Sequence, residues 1–369
     1  MDKNSPNIVW AYKDQVRYKF RFFLKLMFIV LLSHLILVGF LKAGIYTKNK
    51  SEKRDSSIKQ IDRICVLPSG IIKIHRFSIP SGWNVVGARH GVKTILIAVP
   101  GCSDSLVTMG DGASLSDVAI EGLETGKIGI EVKDVAKVVL EDIAIEGCSG
   151  FGIEADHATN LTIKNCFISH CQRGVNLDFC HDVTVEDNQV ENVRDHGIQF
   201  WGNWNWKMQS STNLLFNRNR VVNGSGGGIW GSGATGVVMT ENKVSNFGDV
   251  GLDLEWCSKG IISRNTIFNC RNAGIALFYS CVNVAITDNK VEEKAPIRQN
   301  EVEFGQWQGI WLTGVNKNVF PEDSGHSHVL IARNQILQVG ASLSPIGINS
   351  NCKDIVEESN KVVVKPERD

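Results

Sequence analysis

Short apolar-polar-apolar runs recur along this chain from about residue 65 onward, as in Leu161-Thr162-Ile163-Lys164-Asn165 and Val183-Thr184-Val185-Glu186-Asp187-Asn188. Alternation with a period of two marks a half-buried strand, and no run here keeps the spacing of an amphipathic helix. Each run is tied to a glycine followed by a branched apolar residue, at Gly129, Gly152, Gly174, Gly197, Gly228, Gly251, Gly274, Gly309 and Gly347, with most steps 22 or 23 residues long. A second series, Asp142, Asn165, Asn188, Asn219, Asn242, Asn265, Asn289, Asn334 and Asn360, runs in phase with the first. Two coupled series at one period predict a solenoid.

The period within each repeat predicts its type. Three strands of four or five residues at about 3.3 Å each, joined by three tight corners, use up roughly 22 residues per turn, and successive turns stack about 4.8 Å apart. The expectation is an all-β parallel β-helix of about ten or eleven coils, near 50 Å long. Stacked asparagine amides would bond along the coil axis, and asparagine tolerates the left-handed backbone of a sharp corner. A leucine-rich repeat would need its own leucine frame, which is missing.

The entry segments Leu67-Pro68-Ser69-Gly70-Ile71-Ile72, Ile79-Pro80-Ser81-Gly82-Trp83-Asn84-Val85-Val86-Gly87 and Thr94-Ile95-Leu96-Ile97 look like irregular first coils. With the repeats, they make the chain resemble the right-handed parallel β-helix proteins of the pectate-lyase-like superfamily, from roughly Cys65 to the C-terminus. The resemblance implies the fold. It names no single activity, because this fold carries lyases, hydrolases, epimerases, phage tailspikes and adhesins, so function has to be argued from the site.

Composition changes the picture at the N-terminus. Residues 1–25 form a short basic and aromatic tail, and the stretch 26–41 is almost wholly apolar, interrupted by Ser33, His34 and Gly39. From Leu24 it would span roughly 27 Å as a helix, adequate for a thin bilayer with Lys25 and Lys42 snorkelling at its ends. Leu41-Lys42-Ala43 is a poor cleavage site, which favours an uncleaved signal anchor over a cleaved signal peptide. A polar linker, 42–59, and the β-helix, 60–369, follow. Basic residues nearly balance across the span. The β-helix is nevertheless expected outside the cytoplasm, because the preceding tail is short and the architecture is typically secreted. Formal net charge is zero, with 39 basic and 39 acidic residues, so nothing marks a nucleic-acid partner.

All ten cysteines follow the apolar stretch, which permits disulfides in an oxidising compartment. Cys148 with Cys171, and Cys257 with Cys281, hold nearly equivalent places one coil apart and read as thiols filling the core. His326 and His328 with Glu322 and Asp323 offer metal-ligand chemistry, but a polar loop is the favoured reading.

Alternation from each glycine sends the next residue inward and the one after it outward. One outward column then reads Glu131, Glu154, Asn176, Gln199, Trp230, Asp253, Ala276 and Trp311, and a second reads Lys133, Asp156, Asp178, Trp201, Ser232, Glu255, Phe278 and Thr313. Insertions fall on the same face: one carries Trp201, Trp204 and Trp206, and two more run from Glu292 to Gln308 and from Gly314 to His328. Seven of nine tryptophans lie between Trp201 and Trp311, so the strip differs from an ordinary solvated sheet. Aromatic faces stack on sugar rings while carboxylates and amides take hydroxyls, which points to a polysaccharide groove lined by Asp178, Gln199, Trp201, Trp204, Trp230, Trp256, Phe278 and Trp311.

In the resembling pectinolytic enzymes the cleft lies on the equivalent strand. There Asp253 and Glu255, two apart on one strand, emerge on the same face with Cα atoms about 6.6 Å apart. Crowded carboxylates raise each other's pKa and can serve as acid and base. Asp249, Asp195, His196 and Arg271 complete the catalytic candidates, with Arg194 as a further cation. Hydrolysis would use two carboxylates; elimination or epimerisation would need a cation against a uronate carboxylate and a base such as Arg271, Arg194 or His196. No cofactor is expected, with calcium entering only for a lyase. The polygalacturonase motifs and the Asp-Pro-His-Asp motif of alginate epimerases are not found, and Asp195-His196-Gly197 is a partial echo. A non-catalytic glycan binder or adhesin therefore stands beside the enzyme reading. The sequence leaves the sugar and the oligomeric state open.

Overall fold

The computed structural model describes residues 63–203, 211–293, 307–315, 317–318, 323–339 and 344–366. The expected tail, apolar span and linker (1–59) lie outside the described residues, as does Trp204. Among the described residues no helix is long and apolar enough to cross a membrane.

The chain is a right-handed parallel β-helix. Strands assort by threes into parallel sheets of twelve, twelve and eleven strands. The third sheet is built from the glycine strands: Phe77–Ile79, Ser105–Met109, Ile128–Lys133, Phe151–Asp156, Arg173–Asp178, Ile198–Trp201, Ile229–Ser232, Leu252–Glu255, Ala273–Phe278, Gln308–Leu312 and Ile346–Ile348. The residue after each glycine points inward, as expected. Ile130, Ile153, Val175, Ile198, Ile229, Leu252, Ile275 and Ile310 are fully buried in one continuous core. All ten cysteines carry free thiols, eight of them buried.

Why glycine recurs is a matter of space. An added Cβ at Gly174 would stand 2.3 Å from Val190 Cγ1 and 2.4 Å from the Gly197 carbonyl oxygen; at Gly228 it would stand 2.3 Å from Val244 Cγ1 and 2.5 Å from the Gly251 carbonyl. From Gly129 to Gly274, each glycine of the series thus meets the next glycine's carbonyl one coil on.

The asparagine series is also real, with a correction of one residue at its start. Asn188, Asn219, Asn242, Asn265, Asn289, Asn334 and Asn360 form a ladder in which each Nδ2 donates to the next Oδ1, at 2.9–3.0 Å. Register pairs Leu161 with Val183 and Lys164 with Glu186, so the place equivalent to Asn188 is held by Cys166, whose N–H donates to Asn188 Oδ1. Asn165 aligns instead with Asp187, and both have left-handed φ, 51° and 56°. In this buried series the expectation that the stacked asparagine itself turns the corner is therefore wrong. The residue before it does, as at Arg218 and Glu241, and the amide is left free to stack.

Candidate functional site

The two outward columns line up as the alternation requires. Glu131, Glu154, Asn176, Gln199 and Trp230 are consecutive register partners, as are Asp253, Ala276 and Trp311. Asp156, Asp178, Trp201, Ser232, Glu255 and Phe278 form the second column. The insertions attach at both margins of this sheet. Residues 204–210, after the Ile198–Trp201 strand, and 294–306, before the Gln308–Leu312 strand, lie outside the described residues.

Outward does not mean exposed. Asp253 is 1% exposed and Glu255 8%, and Asn176, Gln199, Ser232 and Thr313 are buried with them. The outward-facing strip is thus a covered one, and aromatic side chains of the same columns pack together along it. Trp201 stacks on Trp230 at 6.0 Å, Trp230 on His196 at 4.9 Å, and Phe278 meets Trp311 edge-on at 5.5 Å. Ala276, with Val250 and Ala273, lies under Phe278 and Trp311 as a second apolar cluster.

Within this cover the candidates gather into two linked groups. In one, Trp230 Nε1 donates to Glu255 Oε1 at 3.2 Å. Burial, opposed by that bond and aided by the Asp249 charge, raises the Glu255 carboxyl from 4.5 to about 8. Asp253 is also pushed up, by burial first and then by Glu255 and Asp249. Tyr279 feels the same pair: burial, then the Glu255 and Asp253 charges, push its hydroxyl to about 12. Asp249 accepts a hydrogen bond from Asn272 Nδ2 at 2.6 Å. In the other group, His196 Nδ1 accepts the Gly227 N–H at 2.7 Å, which leaves Nε2 as the protonated nitrogen, 3.5 Å from Asp195 Oδ1. Burial lowers the His196 pKa. Arg173 Nε donates to Asp195 Oδ2 at 2.8 Å.

Four acceptor atoms in these columns are buried without a hydrogen-bond partner: Asn176 Oδ1, Gln199 Oε1, Asp253 Oδ1 and Glu255 Oε2. An unmet buried acceptor costs about 1–3 kcal/mol, and four on one wall mark a place shaped for something other than stability.

Some expected members fall elsewhere. Trp256 is 1% exposed, sits in left-handed backbone at a corner and stacks on Tyr279 at 5.6 Å, so it plugs the corner and offers no sugar platform. Arg271 is exposed and meets the Phe247 carbonyl through its main-chain N–H, while Arg194 is paired with Glu124. Asp178 borders a neighbouring cleft of about 350 Å³ lined by Glu131, Lys133, Glu154, Asp156, His157 and Phe179. There burial raises Glu154 and Asp178. Asp156 is pushed up by burial but held below its usual value by bonds to Lys133 and His157. The sequence reading missed Arg173, Asn272 and Tyr279, whose roles depend on contacts one coil away. Asp323 and His326 are buried in a hydrogen-bonded corner with Ser280 and the Cys281 N–H, whereas His328 is turned to Asp354.

The profile of a family described as periplasmic copper-binding protein (NosD) matches residues 108–317, more than half of the chain. The SPbeta prophage-derived uncharacterized protein YorA of Bacillus subtilis (strain 168) is 27% identical over 188 residues, 48% of this chain and 28% of that protein, so the match spans little more than a quarter of that relative. Two solved structures share the fold. The A-module of the Azotobacter vinelandii mannuronan C-5 epimerase AlgE6 superposes with a TM-score of 0.66 at 13% identity, covering 84% of this chain and 88% of that one. PfbA, a surface adhesin of Streptococcus pneumoniae, gives 0.58 at 10% identity, covering 82% of each.

Copper is held by imidazole and sulfur donors. Among the described residues no three His, Cys, Asp or Glu side chains gather as a metal site, and the Cys148 and Cys171 thiols are fully buried in the core. The described donor set does not fit copper.

Proposed function

The chain belongs to the NosD family, and from that premise and the geometry of its third sheet we propose that it acts on a polysaccharide along the covered strip centred on Asp253 and Glu255. The observation that carries the reading is this buried carboxyl pair, raised in pKa, between aromatic side chains on an outward column. From Glu131 to Trp311 that column spans seven coil steps, about 34 Å, a length suited to a polymer. The epimerase named for mannuronan and the adhesin lend support at the level of fold.

In the proposed chemistry Glu255, protonated up to about pH 8, is the general acid, and Asp249, oriented by Asn272, is the partner carboxylate. Asp253 lies buried two residues before Glu255 on the same strand. Trp201, Trp230 and Trp311 are the stacking surfaces. No step is routed through copper or another cofactor. The N-terminal apolar segment is proposed as a membrane anchor holding the β-helix outside the cytoplasm, a placement that the family's description as periplasmic supports.

The test incubates the full chain with neutral and acidic polysaccharides and follows new reducing ends together with ultraviolet absorbance from unsaturated uronates. Reducing ends without unsaturation, insensitive to chelators and lost in Glu255→Gln, are the expected result. Unsaturation that needs calcium would replace hydrolysis by elimination. Binding without turnover would favour an adhesin-like role, and no interaction with any glycan would overturn the proposal.

A further inference from the structure

Two of the unmet groups on the strip, Asn176 Oδ1 and Gln199 Oε1, are amide acceptors, and the other two are oxygens of the Asp253 and Glu255 carboxyls. All four atoms are buried and unpartnered, and they lie in three strands: Asn176 and Gln199 are successive positions of one column, and Asp253 and Glu255 share a strand two coils further on. The donors that could have served them are turned elsewhere. Asn176 Nδ2 donates to Asp178 Oδ2 at 2.9 Å, and Trp230 Nε1 is spent on Glu255 Oε1. The two described arginines closest in sequence to these strands, Arg173 and Arg194, are committed to Asp195 and Glu124. The neighbouring cleft continues the theme, with Glu131, Glu154, Asp156 and Asp178 against Lys133, itself paired with Asp156.

We infer that the strip selects a glycan that presents hydroxyl or amino donors and carries no carboxylate, so the ligand is a neutral or amino sugar polymer and not a uronate. This inference rests on the glycan reading above and narrows it. A uronate carboxylate would bring two more acceptors and a negative charge against the amide oxygens, Asp253 and Glu255, with Arg173 and Arg194 already committed to Asp195 and Glu124. A sugar hydroxyl or ammonium supplies the missing donors. The raised carboxyls agree: burial and neighbouring negative charge push both up, that of Glu255 against the Trp230 bond. Trp201 and Trp230 accept the ring face of either class, so the aromatic cover does not discriminate; the acceptors do.

The experiment uses matched polymers that differ only in the carboxyl group. Mannuronan is compared with mannan, and polygalacturonate with its carboxyl-reduced form, with chitosan as the amino-sugar arm. Binding to the full chain in detergent is read from tryptophan fluorescence. The carboxyl-free member of each pair should bind at least about tenfold more tightly, with mannan and chitosan separating hydroxyl from amino recognition. Uronates binding as tightly or more tightly would overturn this inference and leave the glycan reading intact; binding by none would overturn both. Gln199→Met gives an independent readout. It removes one unmet acceptor at nearly constant volume, so the protein should melt no lower while mannan or chitosan affinity falls about tenfold. Unchanged affinity in a folded Gln199→Met chain would remove Gln199 from the site and sink the acceptor argument.

Discussion

Trp230 and Glu255 hold each other across one coil step, the indole Nε1 donating to Oε1 at 3.2 Å while the same indole stacks on His196 and Trp201. The bond works against burial, because a donor favours the ionised carboxyl. Trp230→Phe keeps the stack and deletes the donor. The Glu255 carboxyl should then rise above about 8, and the alkaline limb of any pH profile of turnover should move to higher pH with little loss of fold. An unmoved limb would mean that another group governs it.

Burial of Glu255 also predicts how stability responds to pH. The folded chain keeps this proton up to about pH 8, whereas an unfolded chain releases it near 4.5. Between those values the folded state binds more protons, so this contribution is full below the lower value and is lost as pH rises to the upper one, at up to about 1.4 kcal/mol per pH unit. Asp253, raised by the same burial, acts in the same direction. Glu255→Gln should flatten the fall in melting temperature between pH 5 and 8, read by calorimetry. An equally steep fall in the variant would place the titration elsewhere.

The winding of this chain was legible because its cause is local and repeated. Gly228 must be small where Gly251 passes, and that demand recurs with the coil. Alternation placed Asp253, Glu255, Trp230 and Trp311 on one wall. What alternation could not foresee was their burial, since a period of two separates inside from outside without telling what lies over the outside. Trp256 was misjudged for a related reason: it directly follows the outward Glu255, but its backbone turns left-handed there and folds the ring onto Tyr279. Asp195 and His196 stood out in the sequence, but Arg173, which holds Asp195, did not, because their contact spans a coil and no motif records it.

The two asparagine ladders provide a matched pair for measuring what stacking contributes. In the buried one, Asn242 Oδ1 accepts from Asn219 N and Nδ2, and its Nδ2 donates to Phe216 O and Asn265 Oδ1. Asn242→Ala strands several of these groups away from water and should cost about 2–4 kcal/mol in a urea titration. The other ladder, Asn192, Asn223, Asn246 and Asn269, runs along an exposed corner. Water replaces what Asn246→Ala removes, so the loss there should stay under about 1 kcal/mol, apart from strain at its left-handed φ of 60°. Comparable losses at the two sites would mean that burial does not set the worth of the ladder.

The glycine column should prove the least forgiving feature. Gly228→Ala introduces a methyl 2.3 Å from Val244 Cγ1 and 2.5 Å from the Gly251 carbonyl oxygen. The valine can be trimmed but the carbonyl belongs to the ladder, and moving it displaces the next coil. Gly228→Ala should therefore destabilise by more than about 3 kcal/mol. Adding Val244→Ala relieves the side-chain clash alone, so the double variant should recover only part of the loss in a urea titration. Full recovery would show that the Val244 methyl, and not the backbone of the adjoining coil, is what forbids a side chain there.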